Sequence, residues 1–175
     1  MNDPNAHLES IQKYLAVAAP EIDRINKIEK FSNGQSNPTY LLSTDSARYV
    51  LRSKPVGDLL KSAHAVEREY KVMKALEDTD VPVPRMLCLC ENEAVAGSIF
   101  FVMSYEEGRI FWDPALPQLS TLERSTLYTQ KIQTLAALHS VDPSSVGLQG
   151  FGRMGNYFER QFNRWTTQYR ASETQ

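Results

Sequence analysis

The chain has 175 residues, 42% of them hydrophobic and 23% charged, with a formal net charge of −2. That composition suits a globular domain with a real core, and without a basic excess it argues against a nucleic-acid surface. The longest apolar run, residues 99–103, is too short to cross a bilayer, and MNDPNAHLES carries Asp3 and Glu9 where a targeting leader would be basic or apolar. We therefore expect a cytoplasmic protein with no nucleic-acid and no membrane partner.

Asp3 followed by Pro4 reads as a helix start, an N-cap with proline in the first turn. Leu8, Ile11 and Leu15 recur at helical spacing, which predicts a helix over 4–18 closed by Pro20. Ile22, Ile25, Ile28 and Phe31 suggest a first strand over 22–31. Two more strands, 40–43 and 48–53, flank a TDSA turn and complete an antiparallel meander. The clearest helix is 62–77, where Ala65, Val66, Tyr70, Met73 and Leu76 form an apolar stripe among charged neighbours. VPVPR then forces an extended connector, and 86–90 and 98–104 read as a further strand pair. Cys88 and Cys90 share one strand face as reduced thiols, without the second pair that a structural zinc site requires. Beyond Gly108 the chain turns helical, over 122–140 and 156–169. The expected class is α+β: an N-terminal helix (1–20), a five-stranded antiparallel sheet with one prominent helix (21–108), then helices only (109–175).

Four features in this order could serve a nucleotide. The turn FSNGQSNPTYLL, residues 31–42, has at Gly34 a residue free to bring its backbone close to a phosphate; a plain chain reversal is the competing reading. YVLRSK puts Val50, Arg52 and Lys54 on one strand face, with Arg52 as the candidate cation and an exposed strand end as the alternative. HAVEREYKVMKAL offers Glu67 and Glu69, two apart, so only one of them can face the sheet. FFVMSYEEG runs from an apolar strand into a segment whose backbone could meet an adenine edge.

That ordered set, with VPVPRML and LAALHSVD, resembles the aminoglycoside phosphotransferase and choline-kinase-like superfamily. SAHAVEREY and GNYFERQFNRWTTQYRASET resemble in particular the kinase-like domains associated with acyl-CoA dehydrogenases. The resemblance implies a protein-kinase-like nucleotide lobe and ATP as cofactor. It implies that Gly34, Gln35, Ser36 and Asn37 belong to the phosphate-covering loop, that Arg52 is the strand cation and that Glu69 is its helix partner. The backbones of Ser104 and Glu106 become the adenine-binding hinge. His139, which resembles a recurring helix-end histidine, is expected to be a satisfied core residue.

The family's H-G-D-x-x-x-x-N stretch and its later metal-binding aspartate are not found. The histidines are His7, His64 and His139, and none precedes Gly-Asp. The residues that hold Mg²⁺ in the family are therefore missing. The sequence reads as the ATP-binding portion of a small-molecule kinase, truncated after its opening C-lobe helices and inactive alone. The resemblance implies a hydroxyl acceptor, a hydroxyacyl thioester being one candidate. The alternative is a non-catalytic nucleotide-binding or interaction module. The aromatic stripe Phe158, Phe162, Trp165 and Tyr169 is expected to drive self-association if nothing covers it.

Overall fold

The computed structural model describes residues 4–32, 37–55, 57, 64–152 and 155–173. Two compact units divide the chain, Met1–Val141 and Asp142–Gln175.

In the first unit, a 3-10 turn Pro4–His7 leads into α1 (Leu8–Ala18). The strands β1 (Lys27–Lys30), β2 (Thr39–Ser43) and β3 (Arg48–Ser53) follow, then α2 (Val66–Leu76). After the extended proline connector come β4 (Met86–Cys90), the short helix α3 (Glu93–Ala96), β5 (Phe100–Ser104) and α4 (Thr121–Ser140). The strands form one antiparallel sheet in the order β1-β2-β3-β5-β4. Among the described residues, no helix is long and apolar enough to cross a membrane.

Both faces of the sheet are covered, which explains why β3 and β5 are almost continuously apolar instead of alternating. On one face Tyr40, Leu42, Leu51, Phe100 and Val102 pack with Ile11 and Leu15 of α1. The ring of Tyr14 meets Phe100 edge-on at 5.9 Å, and its hydroxyl donates to the Leu89 carbonyl at 2.7 Å. On the other face Phe101 and Met86 pack under Val66, Tyr70 and Met73 of α2. A bulge in β4 between Met86 and Cys88 makes this possible. The extra residue reverses the alternation, so that Met86 faces α2 while Cys88 and Cys90 enter the α1 core. Burial, helped by the neighbouring Cys90, pushes the Cys88 thiol up to about 12, so it is an inert packing group.

Three expectations change. The strand expected over 22–31 is confined to Lys27–Lys30. Ile22, Ile25 and Ile28 are all buried, but a spacing of three cannot alternate across a pleat. The Ile25 amide instead donates to the Gln12 side chain, and Phe31 is left exposed. The strand expected to begin at 98 begins at Phe100, because α3 and its left-handed cap Gly97 occupy the preceding residues. Finally, His139 is not a core residue: it is exposed on the last turn of α4. The Asp3 cap and the first residues of the helix expected over 62–77 lie outside the described residues.

The second unit carries α5 (Tyr157–Ser172). Phe158, Phe162, Trp165 and Tyr169 are exposed along it by 85%, 70%, 63% and 68%, too large and too contiguous a stripe to be ordinary surface.

Candidate functional site

Arg52 leaves β3 on the face that carries α2, because Leu51 and Ser53 use the opposite face. Glu69 sits in the first turn of α2, where a carboxylate also complements the helix dipole. The two meet side-on: Arg52 Nε donates to Glu69 Oε2 at 2.6 Å and Nη2 to Oε1 at 3.4 Å. Arg52 Nη1 donates to the Thr39 hydroxyl on β2 at 3.0 Å. A guanidinium has about five N–H groups, so Arg52 keeps one spare donor on each terminal nitrogen. With side chains 29% and 37% exposed, the pair is neither sealed in the core nor free in solvent, as a cation meeting a ligand must be.

Of the two candidate glutamates, Glu69 reaches the sheet cation. Glu67 turns elsewhere, with Oε2 buried and, among the described residues, without a hydrogen-bond partner. Gly34, Gln35 and Ser36 lie outside the described residues. Asn37, only 3% exposed, turns its side chain inward: Nδ2 donates to Glu69 Oε1 at 2.7 Å, and Oδ1 stands 2.9 Å from His64 Nδ1. Its carbonyl accepts from the Thr39 hydroxyl at 3.0 Å. Sequence reasoning placed Asn37 in the loop but missed its bond to Glu69, and it did not single out His64. His64 meets Asn37, and Asn37 meets Glu69, through contacts that only the fold brings together, so no local signal marked either residue.

At the end of β5, Ser104 is bracketed by Arg85, whose amide donates to the Ser104 hydroxyl and whose carbonyl accepts from the Ser104 amide, both at 2.9 Å. The Ser104 hydroxyl donates to the Glu106 carboxylate at 2.5 Å. Arg48, at the start of β3, lies 4.3 Å from the centre of the Tyr105 ring and 3.5 Å from the Glu107 carboxylate. The segment is thus held extended by side chains, and among the described residues the Glu106 amide has no backbone partner. Among the described residues, no three His, Cys, Asp or Glu side chains are grouped to hold a metal ion.

The profile of the phosphotransferase enzyme family (APH) matches residues 27–175. A probable acyl-CoA dehydrogenase of Arabidopsis thaliana is 49% identical over 85% of this chain, which spans 19% of that protein. Acyl-CoA dehydrogenase family member 11 of Homo sapiens is 41% identical over 94% of this chain, which spans 21% of it. Among solved structures, a Ralstonia eutropha protein named as an aminoglycoside phosphotransferase superposes with a TM-score of 0.82 at 42% identity. That likeness covers 95% of this chain and 48% of the other. The chain therefore spans about a fifth of these two curated relatives and about half of the solved structure.

Proposed function

Because the chain belongs to the phosphotransferase enzyme family, we propose that residues 21–108 form the ATP-binding portion of a small-molecule kinase. The observation that carries this reading is the Arg52–Glu69 pair, a sheet cation oriented by a helix carboxylate with two donors to spare. Those donors suit phosphate oxygens, which an arginine can grip in a fork. The Ser104 carbonyl and the Glu106 amide, an acceptor and a donor two residues apart, suit the edge of an adenine. The phosphate-covering loop that the resemblance implies, Gly34 to Asn37, lies outside the described residues except for Asn37. In the parent reaction the γ-phosphoryl group passes from ATP to a substrate hydroxyl, and magnesium neutralises the charge that builds on the phosphate oxygens. The residues of this chain account for nucleotide binding and orientation only.

The experiment compares ATP with adenosine by calorimetry on the wild-type chain and on Arg52→Ala. Arg52→Ala weakens ATP binding while leaving adenosine nearly unchanged. Equal losses for both ligands would mean that Arg52 does not meet the phosphates.

A second reading, an interaction module, is favoured by one observation: the exposed aromatic stripe of α5. We propose that the isolated chain self-associates through residues 156–169, because burying such rings removes a large apolar area from water.

A further inference from the structure

We propose that Asn37 and His64 are positioning residues, which hold Glu69, and through it Arg52, in the orientation the phosphates require; this rests on the nucleotide reading above. The hydrogen bonds close into a ring. Arg52 donates to Thr39, and Thr39 donates to the Asn37 carbonyl. The Asn37 side chain donates to the same Glu69 oxygen that accepts from Arg52 Nη2. The chemistry of the partners sets every direction in it. A carboxylate can only accept, so Asn37 must present its NH₂ to Glu69 and its oxygen to His64. His64 must then carry its proton on Nδ1 to donate across the 2.9 Å gap.

The backbone of His64 supports the assignment. It sits at φ 61°, a left-handed conformation that is costly for a residue with a Cβ. The turn that closes there, with the Val66 amide donating to the His64 carbonyl at 3.0 Å, starts α2 and swings the imidazole toward Asn37. Asn37 is thus fixed from both ends: its backbone by β2, its side chain by the residue that opens α2. Glu69 is held at Oε2 by Arg52 and at Oε1 by Asn37. Without Asn37 the carboxylate could rotate about its last bond and release the side-on geometry. Asn37 is therefore assigned to the carboxylate and the histidine, and not by its side chain to a phosphate.

The test exploits the shapes of two amides. In His64→Asn the new Nδ2 falls near the place of the imidazole Nδ1, and asparagine tolerates the left-handed backbone. In His64→Gln the donor falls near the place of Nε2 instead. Exchange of the Arg52 Nε–H with solvent, read by NMR on the whole chain, reports the pair without any ligand. His64→Ala and His64→Gln are expected to speed that exchange about fivefold, the weight of roughly one net hydrogen bond, and His64→Asn to leave it near wild type. Asn37 is buried, so Asn37→Ala also risks the fold; the His64 series, on a half-buried ring, carries the test alone. No change in any His64 variant would overturn the proposal, and so would protection kept by His64→Gln but lost by His64→Asn. ATP affinity measured on the same proteins should follow the same order. If the wild-type chain binds no ATP, the nucleotide reading fails while the exchange rates still decide the positioning roles.

Discussion

Glu77, at the end of α2, determines how the helix that carries Glu69 sits on the sheet, and its replacement by glutamine should cost stability in a pH-dependent way. One carboxylate oxygen accepts the Met86 amide of β4 and the other accepts Lys74 Nζ at 2.7 Å, while Lys74 also reaches the Met86 carbonyl at 3.3 Å. Helix and strand are thus tied through both backbone polar groups of one residue, Met86. Burial pushes the Glu77 carboxyl up, but the Lys74 and Met86 hydrogen bonds, with the charges of Lys74 and Arg85, outweigh it and hold the group below its ordinary value. Glutamine keeps the shape and loses the charge. A hydrogen bond to a charged group contributes about 1.5–3 kcal/mol and a neutral one about 0.5–1.5, so the Met86 bond loses roughly 1 kcal/mol. Lys74 is half exposed, and screening limits its loss to about 0.5 kcal/mol. The sum, about 1–2 kcal/mol, lowers Tm by roughly 3–6 °C in a domain of this size. The folded pKa is depressed, so the wild-type advantage is complete above the ordinary carboxylate value of about 4.3 and is lost as pH falls through the folded value. Urea titrations of both proteins near neutrality and near pH ~3 measure the difference. A gap that stays constant across that range would refute the charge-based account, and no gap at neutrality would refute the tie itself.

Phe101→Ala, which empties the centre of the α2-side core, should destabilise the chain by about 3–5 kcal/mol in denaturant titration. Arg48→Ala removes both the Tyr105 contact and the Glu107 pair; it should weaken adenosine and ATP binding by the same factor, unlike the phosphate-selective loss in Arg52→Ala. The pure chain should transfer no phosphate to alcohols, read as the absence of ATP turnover at roughly 1–100 per second. Phe162→Asp or Trp165→Asp should reduce self-association of the chain in size-exclusion chromatography; a wild-type chain that elutes as a monomer would remove the basis for that expectation.

Much of the sheet was legible because its determinants are local. β3 and β4 begin and end where the sequence pattern places them, since turn residues bound them and their apolar runs are short. α3 was also written locally, with Asn92 as its side-chain cap and Gly97 in the left-handed region, but four residues give too little periodicity to register. β1 was misjudged for the opposite reason. Three isoleucines at intervals of three signal burial without naming a backbone conformation, and the loop before Lys27 buries Ile22 and Ile25 as well as the strand buries Ile28. The covering of both sheet faces was not legible, because Cys88 reaches the α1 core only through a bulge that no residue type announces.

The candidate site divides along the same line. Arg52 and Glu69 could be paired from sequence only through the family resemblance: the strand period puts Arg52 on one face with Val50 and Lys54, and the helix period lets only one of Glu67 and Glu69 face the sheet without saying which. Asn37 and His64 could not, since their meeting depends on how the end of one loop and the start of one helix are brought together across 27 positions of chain. What the resemblance supplies is the charged pair; what tertiary structure adds is the constraint on its orientation. A salt bridge this exposed contributes little to stability and is free to rearrange. Its geometry is therefore set less by its own attraction than by the polar groups around it, the buried Asn37 amide, itself bonded to His64, and the Thr39 hydroxyl. Substitutions at Thr39 and His64 should therefore alter how the cation is presented while removing neither Arg52 nor Glu69.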